Sequence, residues 1–142
     1  TLCTTKAGAS PLQGNHSLDS DLVALCSTHP RVMIVTRNSR SQDIAIFLRR
    51  HGVCARLSQE EGQLDNNSVT SSGLRGDVCV RSIKREGLRS KSDVILQELS
   101  NLQATALFVD DDIKELTEPG LQGVVDNGQL LRLLFVRSGG KE

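Results

Sequence analysis

The sequence predicts an α/β domain built on a parallel sheet, and three observations support that prediction. Segments with helical periodicity alternate with short apolar runs along the first half of the chain. The run in "ALFVDDDIKEL" (106–116) is continuously apolar, which is typical of a strand buried on both faces. It then leads directly into three carboxylates, at the end of a strand where open α/β sheets place their ligands. Strands joined through helices run parallel, with right-handed crossovers.

The first half of the chain begins with a polar stretch and then a helix and a strand. Apolar residues recur at helical spacing over 17–27, and acidic residues favour the N-terminal end of that helix. The sequence "HPR" ends the helix, and "RVMIV" (31–35) follows as a buried strand. Residues 1–16 show no period and are predicted to form a loop.

A second helix and a second strand follow. Ser39 or Ser41 is expected to cap the helix, which extends to about His51 and is ended by Gly52. The stretch "VCARL" (53–57) is then predicted to be a short strand. The order helix, strand, helix, strand is the basis for expecting a parallel sheet.

The second half contains a polar segment and further helix and strand signals. We expect residues 59–90 to form a loop or small insert, within which "DVCVRSI" (77–83) alternates and is a candidate edge strand. A helix is predicted over 90–102, and strands are predicted over 104–109 and 130–136.

The composition limits which classes of protein the sequence can represent. The 142 residues suit one domain, and Lys+Arg equals Asp+Glu at 17 each, so the net charge is zero. That balance argues against binding nucleic acid or an anionic membrane through bulk charge. The apolar runs are far shorter than a membrane span. The sequence has no Trp or Tyr, so aromatic surfaces on which bases stack are scarce.

The four cysteines indicate a reducing environment. Cys3, Cys26, Cys54 and Cys79 are irregularly spaced and form no Cys-x-x-Cys pair, which argues against a zinc site. Cys26 and Cys54 have apolar neighbours and are interpreted as buried thiols. We therefore expect an intracellular protein, of the cytoplasm or an organelle matrix.

The three acids Asp110, Asp111 and Asp112 allow two interpretations. Adjacent carboxylates repel each other, and a hard cation such as Mg²⁺ relieves that repulsion. Alternatively, Asp112 simply N-caps a short helix "IKELTE", and an acidic turn needs no metal.

Two further residues stand where α/β proteins bind anions. Thr36 follows an apolar strand and precedes a helix, so its hydroxyl and the next N–H groups can cradle a phosphate. Lys91 opens a helix, where a cation opposes the helix dipole, and a buried anion nearby would explain it. Each residue alone also fits an ordinary strand end or an exposed first turn.

Together, these residues resemble the haloacid dehalogenase-like (HAD) hydrolase superfamily. Thr36 matches the family's second motif, Lys91 its third, and Asp110 with Asp111 its fourth, in the right order from about residue 17 to 136. The resemblance implies a three-layer, doubly wound, Rossmann-like parallel sheet over 1–142, with little or no cap.

The same resemblance implies roles for the matched residues. Thr36, Arg37, Asn38 and Lys91 would bind phosphate, and Thr36 and Lys91 would act in catalysis. Asp110 and Asp111 would hold Mg²⁺.

The first family motif, a strand ending in Asp-x-Asp, is not matched. Thr1 and Leu2 look like its tail, so we expect an N-terminally truncated domain. In the family this strand lies between those that carry the Thr and the acidic pair, and its loss would leave two unpaired edges. A preceding segment of the same protein, a partner chain, or another segment such as residues 2–5 or the C-terminal strand would complete the sheet.

The resemblance implies a Mg²⁺-dependent phosphatase acting on a phosphorylated substrate. An open site would suit a macromolecular substrate. The sequence as it stands lacks the nucleophile and is expected to be inactive. The alternative is a non-catalytic HAD-like interaction or structural module within a larger assembly.

Overall fold

The computed structural model describes residues 9–29, 31–57, 78–100 and 104–136. They fall into two compact units, an N-terminal unit within Leu2–Gly87 and a C-terminal unit within Leu88–Glu142. The architecture is mixed α/β, with small parallel sheets and short helices, and is compatible with a Rossmann-like fold. The predicted tail of the first motif and most of the predicted polar insert lie outside the described residues. No described helix has the length and apolar character needed to cross a membrane.

The described part of the N-terminal unit contains two helices and three strands. Its elements are α1 (Ser20–Thr28), β1 (Met33–Thr36), α2 (Ser41–Arg50), β2 (Ala55–Leu57) and β3 (Val78–Ser82). The predicted alternation is confirmed, and each predicted boundary lies within a few residues of the observed one. The periodicity of apolar residues within each segment is enough to predict these elements.

The three strands form one parallel sheet in the order β1-β3-β2. In its register Met33 lies beside Cys79 and Thr36 beside Ser82. The expectation that β3 is an edge strand is therefore wrong, because β3 is the central strand. Val78, Cys79 and Val80 are all buried, which is the pattern of a strand covered on both faces.

The core of this unit lies between the sheet and α2. It is formed by apolar side chains of α2, of the turn after it and of β2 and β3, namely Ala45, Leu48, Val53, Ala55, Val78 and Val80.

The ends of α2 show one wrong prediction and one confirmed prediction. The N-cap is Arg40, which makes no side-chain capping bond, so neither Ser39 nor Ser41 caps the helix. Asn38 organises this turn instead, because its Oδ1 accepts a hydrogen bond from the Arg40 N–H at 2.9 Å. His51 is the C-cap as predicted, and Gly52 follows it at φ +85° in the left-handed region.

The described part of the C-terminal unit is a two-stranded parallel sheet with short helices. Its elements are α3 (Lys91–Ser100), β4 (Ala106–Asp110), α4 (Ile113–Leu116), a 3₁₀ turn (Pro119–Leu121), α5 (Gln122–Asp126) and β5 (Leu130–Leu134). β4 and β5 pair from Ala106 beside Leu130 to Asp110 beside Leu134. One face packs onto a core of Leu99, Leu121 and Leu130.

The opposite face of this sheet is exposed. Leu107, Leu131 and Leu133 are 51%, 58% and 52% accessible to solvent. The expectation that β4 is buried on both faces is thus wrong at Leu107. An apolar run shows that a strand can be covered on both sides, but the number of layers that pack against it is a tertiary property.

Candidate functional site

Lys91 and Asp110 form a buried ion pair in the C-terminal unit. Lys91 is the first residue of α3 and Asp110 the last of β4, and the distance from Nζ to Oδ2 is 2.7 Å. The two side chains are only 14% and 3% exposed. The buried anion expected near Lys91 is therefore present, and two residues from different predicted motifs are in direct contact.

Local hydrogen bonds hold Asp110 and the turn after it in place. The second carboxylate oxygen, Oδ1, accepts a hydrogen bond from the Asp112 N–H at 3.0 Å. The Asp110 backbone carbonyl accepts one from the Phe135 N–H at 2.8 Å, which ties this end of β4 to the chain just after β5. Both oxygens of the carboxylate thus have a donor, which compensates for burying its charge.

The first turn of α3 explains how Lys91 is tolerated at a helix N-terminus. Asp93 Oδ2 accepts hydrogen bonds from the N–H groups of Arg89 and Ser90 at 3.1 and 3.3 Å. An acid in the first turn favours the helix dipole, which offsets the unfavourable position of the Lys91 cation. The ammonium group can then be directed at Asp110 without leaving the helix end uncapped.

The three consecutive acids occupy three different environments. Asp110 is buried against Lys91, while Asp111 is exposed. Asp112 is the N-cap of α4, and its Oδ1 accepts a hydrogen bond from the Lys114 N–H at 2.9 Å. The capping interpretation of Asp112 is confirmed.

In the N-terminal unit, Thr36 lies at the carboxyl end of β1. Its Oγ1 accepts a hydrogen bond from the Asn38 N–H at 3.0 Å, and its backbone carbonyl accepts one from the Ile83 N–H at 3.0 Å. The hydroxyl proton of Thr36 can still be donated, since the first of these bonds uses only a lone pair. Arg37 is exposed on the same turn.

Asn38 shapes the loop rather than presenting its amide. The side chain is buried, Nδ2 donates to the Ala9 carbonyl at 2.7 Å, and Oδ1 accepts from the Arg40 N–H. The expected contact between Asn38 and phosphate stays a prediction. Because the side-chain amide already makes these two hydrogen bonds, a contact with phosphate would require a further one.

One residue at this strand end is missed by the sequence interpretation. Ser82 ends β3 beside Thr36, is buried, and its Oγ accepts a hydrogen bond from the Arg85 N–H at 3.3 Å. The signal that identifies Thr36, a hydroxyl residue after an apolar strand, is also present in "VCVRSI". Interpreting that segment as an edge strand leaves Ser82 out of the candidate site residues.

The structure thus describes the predicted residues as two groups. Thr36, Arg37 and Asn38 lie together in the N-terminal unit, and Lys91 and Asp110 are in contact in the C-terminal unit. The family resemblance further predicts that Thr36, Lys91 and Asp111 converge at one sheet edge, and this stays a prediction. Within 9–29, 31–57, 78–100 and 104–136, no group of three or more His, Cys, Asp and Glu side chains is arranged to hold a metal.

Comparison of the chain with protein-family models, with curated proteins and with solved structures finds no match.

Proposed function

We propose that the chain forms the phosphate- and Mg²⁺-binding part of a phosphohydrolase of the HAD-like type, on a three-layer doubly wound sheet. The observation that carries the proposal is the buried contact between Lys91 and Asp110. These residues are 19 positions apart, and each matches a different motif. Their contact supports the view that the motifs belong to one site.

A buried ion pair at this place is better explained by function than by stability. Replacing such a pair by apolar side chains is often neutral or stabilising, because burying two charges is costly. The carboxyl ends of parallel strands are also where α/β proteins bind ligands. A cation held at such an end, beside an acidic turn, suits a phosphoryl group that arrives together with a metal ion.

The strand ends offer donors for a phosphate. In the proposed site, Thr36 donates its hydroxyl proton and Arg37 offers a guanidinium to phosphoryl oxygens. The side chain of Asn38 keeps the turn in shape through Ala9, so that its neighbours can present their N–H groups. Lys91 balances the negative charge that the acids and the substrate bring together.

The two carboxylates, Asp110 and Asp111, provide only part of the ligands that Mg²⁺ needs. Mg²⁺ is commonly held by one or two carboxylates together with waters and substrate phosphates. Asp111 is exposed and would hold the ion, with Asp110 beside it already charge-balanced by Lys91. When bound, the ion would neutralise charge on the phosphoryl group.

The nucleophile is assigned to a residue outside this chain. Asp110 is engaged by Lys91, and Asp112 caps α4, so neither is placed to attack phosphorus. Among the described strands, β1 ends its sheet and β4 pairs only with β5. The family resemblance implies one additional strand that would pair with them. The free thiols of Cys26 and Cys54 accord with the reducing intracellular compartment that we propose.

The test is Mg²⁺-dependent hydrolysis of p-nitrophenyl phosphate by the whole protein and by this chain alone. We expect turnover by the former and none by the latter. Most turnover should be lost in each of three variants, Lys91→Ala, Asp111→Asn and Thr36→Val. Thr36→Ser keeps the hydroxyl group and should therefore keep most of the turnover. The matched control is Cys54→Ser, because Cys54 is exposed and the interpretation of it as a buried thiol is wrong. Full turnover by Asp111→Asn would contradict the assignment of the metal site.

A second candidate function is a non-catalytic module of the same fold. The exposed apolar face of β4 and β5, with Leu107, Leu131 and Leu133, favours it, since an exposed apolar surface of this kind often marks an interaction site. The same assay separates the two candidates. A folded whole protein without Mg²⁺-dependent turnover would support the module.

A further inference from the structure

A cavity of about 530 Å³ lies beside α2 in the N-terminal unit. Phe47, Arg50 and His51 line it from the helix and its C-cap, and residues of the loop 11–17 line it from the other side. Its volume falls within the range typical of small-molecule sites. None of the residues assigned to the proposed hydrolase site contributes to its lining among the described residues.

The loop that forms one wall is anchored to α2 and to the turn before it. Ser10 is buried, and its Oγ donates to Asp43 Oδ2 at 2.7 Å. The preceding carbonyl, of Ala9, accepts from Asn38 Nδ2 at 2.7 Å. Gly14 adopts φ +79°, a conformation that favours glycine and lets the loop turn back beside the helix. These contacts hold the loop wall against α2.

The floor of the cavity is apolar and well packed. Phe47 is 6% exposed and Pro11 is fully buried. The ring of His51 lies against that of Phe47, with centroids 4.3 Å apart, and His51 Nδ1 is 2.9 Å from the Phe47 carbonyl oxygen. Because a carbonyl only accepts, Nδ1 carries a proton and donates it to Phe47. Nε2 then donates to a ligand only when it also carries a proton.

The rim is basic. Arg50 carries a permanent positive charge, and His16 and His51 also line the cavity. Among the described residues that line the cavity, none is Asp or Glu. The helix dipole accounts for cations at the C-terminal end of α2, but it does not account for His16 or for an apolar floor beside them.

We propose that this cavity binds a small organic carboxylate, with its apolar body on Phe47 and Pro11 and its carboxylate at Arg50. The planar fork of a single arginine matches a carboxylate in both charge and geometry. The site is separate from the proposed hydrolase site. α2 has ten residues, so it is about 15 Å long, and Thr36 precedes its opposite end.

The test uses benzoate as the probe and amide NMR spectra of the whole protein as the readout. We expect saturable shifts confined to residues 12–17 and 47–51. Benzyl alcohol, a neutral analogue, should bind about tenfold more weakly than benzoate. Arg50→Gln should lower the affinity for benzoate by a similar factor, because each change removes one charged hydrogen bond. Lys84→Gln removes an exposed charge elsewhere in the same unit and should leave benzoate affinity unchanged.

Two results would overturn the proposal. One is the absence of saturable shifts in these residues at millimolar benzoate. The other is equal affinity for benzoate and benzyl alcohol, or for the native protein and Arg50→Gln. Arg50 is exposed in the last turn of α2, so the variant should fold. Arg50→Glu, which reverses the charge, should abolish binding and provides a second check.

Discussion

Asp110→Asn should strongly destabilise the protein, since it removes one charge of a buried pair. The amide side chain would keep an oxygen for the Asp112 N–H but would turn its NH₂ group, itself a donor, toward the Lys91 ammonium. The cation would then be buried without a counter-ion. This consequence follows from the distance of 2.7 Å and from side-chain exposures of 14% and 3%, which leave water little access to the pair.

The expected loss is about 3–5 kcal/mol in the free energy of unfolding, the range found when one member of a buried ion pair is removed. An exposed pair would contribute only about 0–1 kcal/mol. For a chain of this length, the larger loss lowers the melting temperature by on the order of 10 °C. The difference between the two cases is therefore easily measured.

The assay is urea unfolding followed by circular dichroism, applied as a double-mutant cycle. Lys91→Met should also destabilise, because it leaves the Asp110 carboxylate buried and unpaired. The double variant Lys91→Met with Asp110→Asn should recover most of the loss, since it buries no charge. A loss below about 1 kcal/mol for Asp110→Asn, or strictly additive losses in the cycle, would refute the reasoning.

Three further predictions concern the turns and the thiols. Asp112→Ala should cost about 1 kcal/mol in urea unfolding through loss of the cap of α4, whereas Asp112→Ser should cost much less. Gly52→Ala should lower the free energy of unfolding by about 1–2 kcal/mol, because φ at this residue is +85°. The new Cβ would meet no atom within 4 Å, so backbone strain alone causes the loss. An unchanged stability would contradict the left-handed turn. Iodoacetamide should label exposed Cys54 before Cys26, because burial raises the pKa of the Cys26 thiol. Mass spectrometry should show that the labelling rate of Cys26 still increases above about pH 8.5, the ordinary thiol pKa. Equal labelling rates for both thiols at pH 7.5 would contradict the burial of Cys26.

Local features of the site were predictable from short stretches of sequence. The helix that ends at His51 and Gly52, and the cap that Asp112 provides for α4, depend on hydrogen bonds between residues no more than four positions apart. The position of Thr36 at a strand end follows from an apolar run and the helix after it. Such features need no knowledge of what packs against them.

Other features depended on contacts between distant parts of the chain. The sequence alone could not show that Asn38 binds the Ala9 carbonyl, 29 positions away. It placed Val78–Ser82 at an edge, although the strand pairs on both sides. Strand order is decided by which apolar faces can be covered together, and alternation within one segment does not contain that information.

The sequence by itself thus determined that this is an α/β chain with Thr36, Lys91 and an acidic turn at the ends of its elements. Only the tertiary structure decided that Lys91 reaches Asp110, that Asp111 stays exposed, and that one face of β4 and β5 is uncovered. The physical reason is the range of the interactions. Periodicity and capping act within a few residues, whereas burial and ion pairing depend on every element that packs nearby.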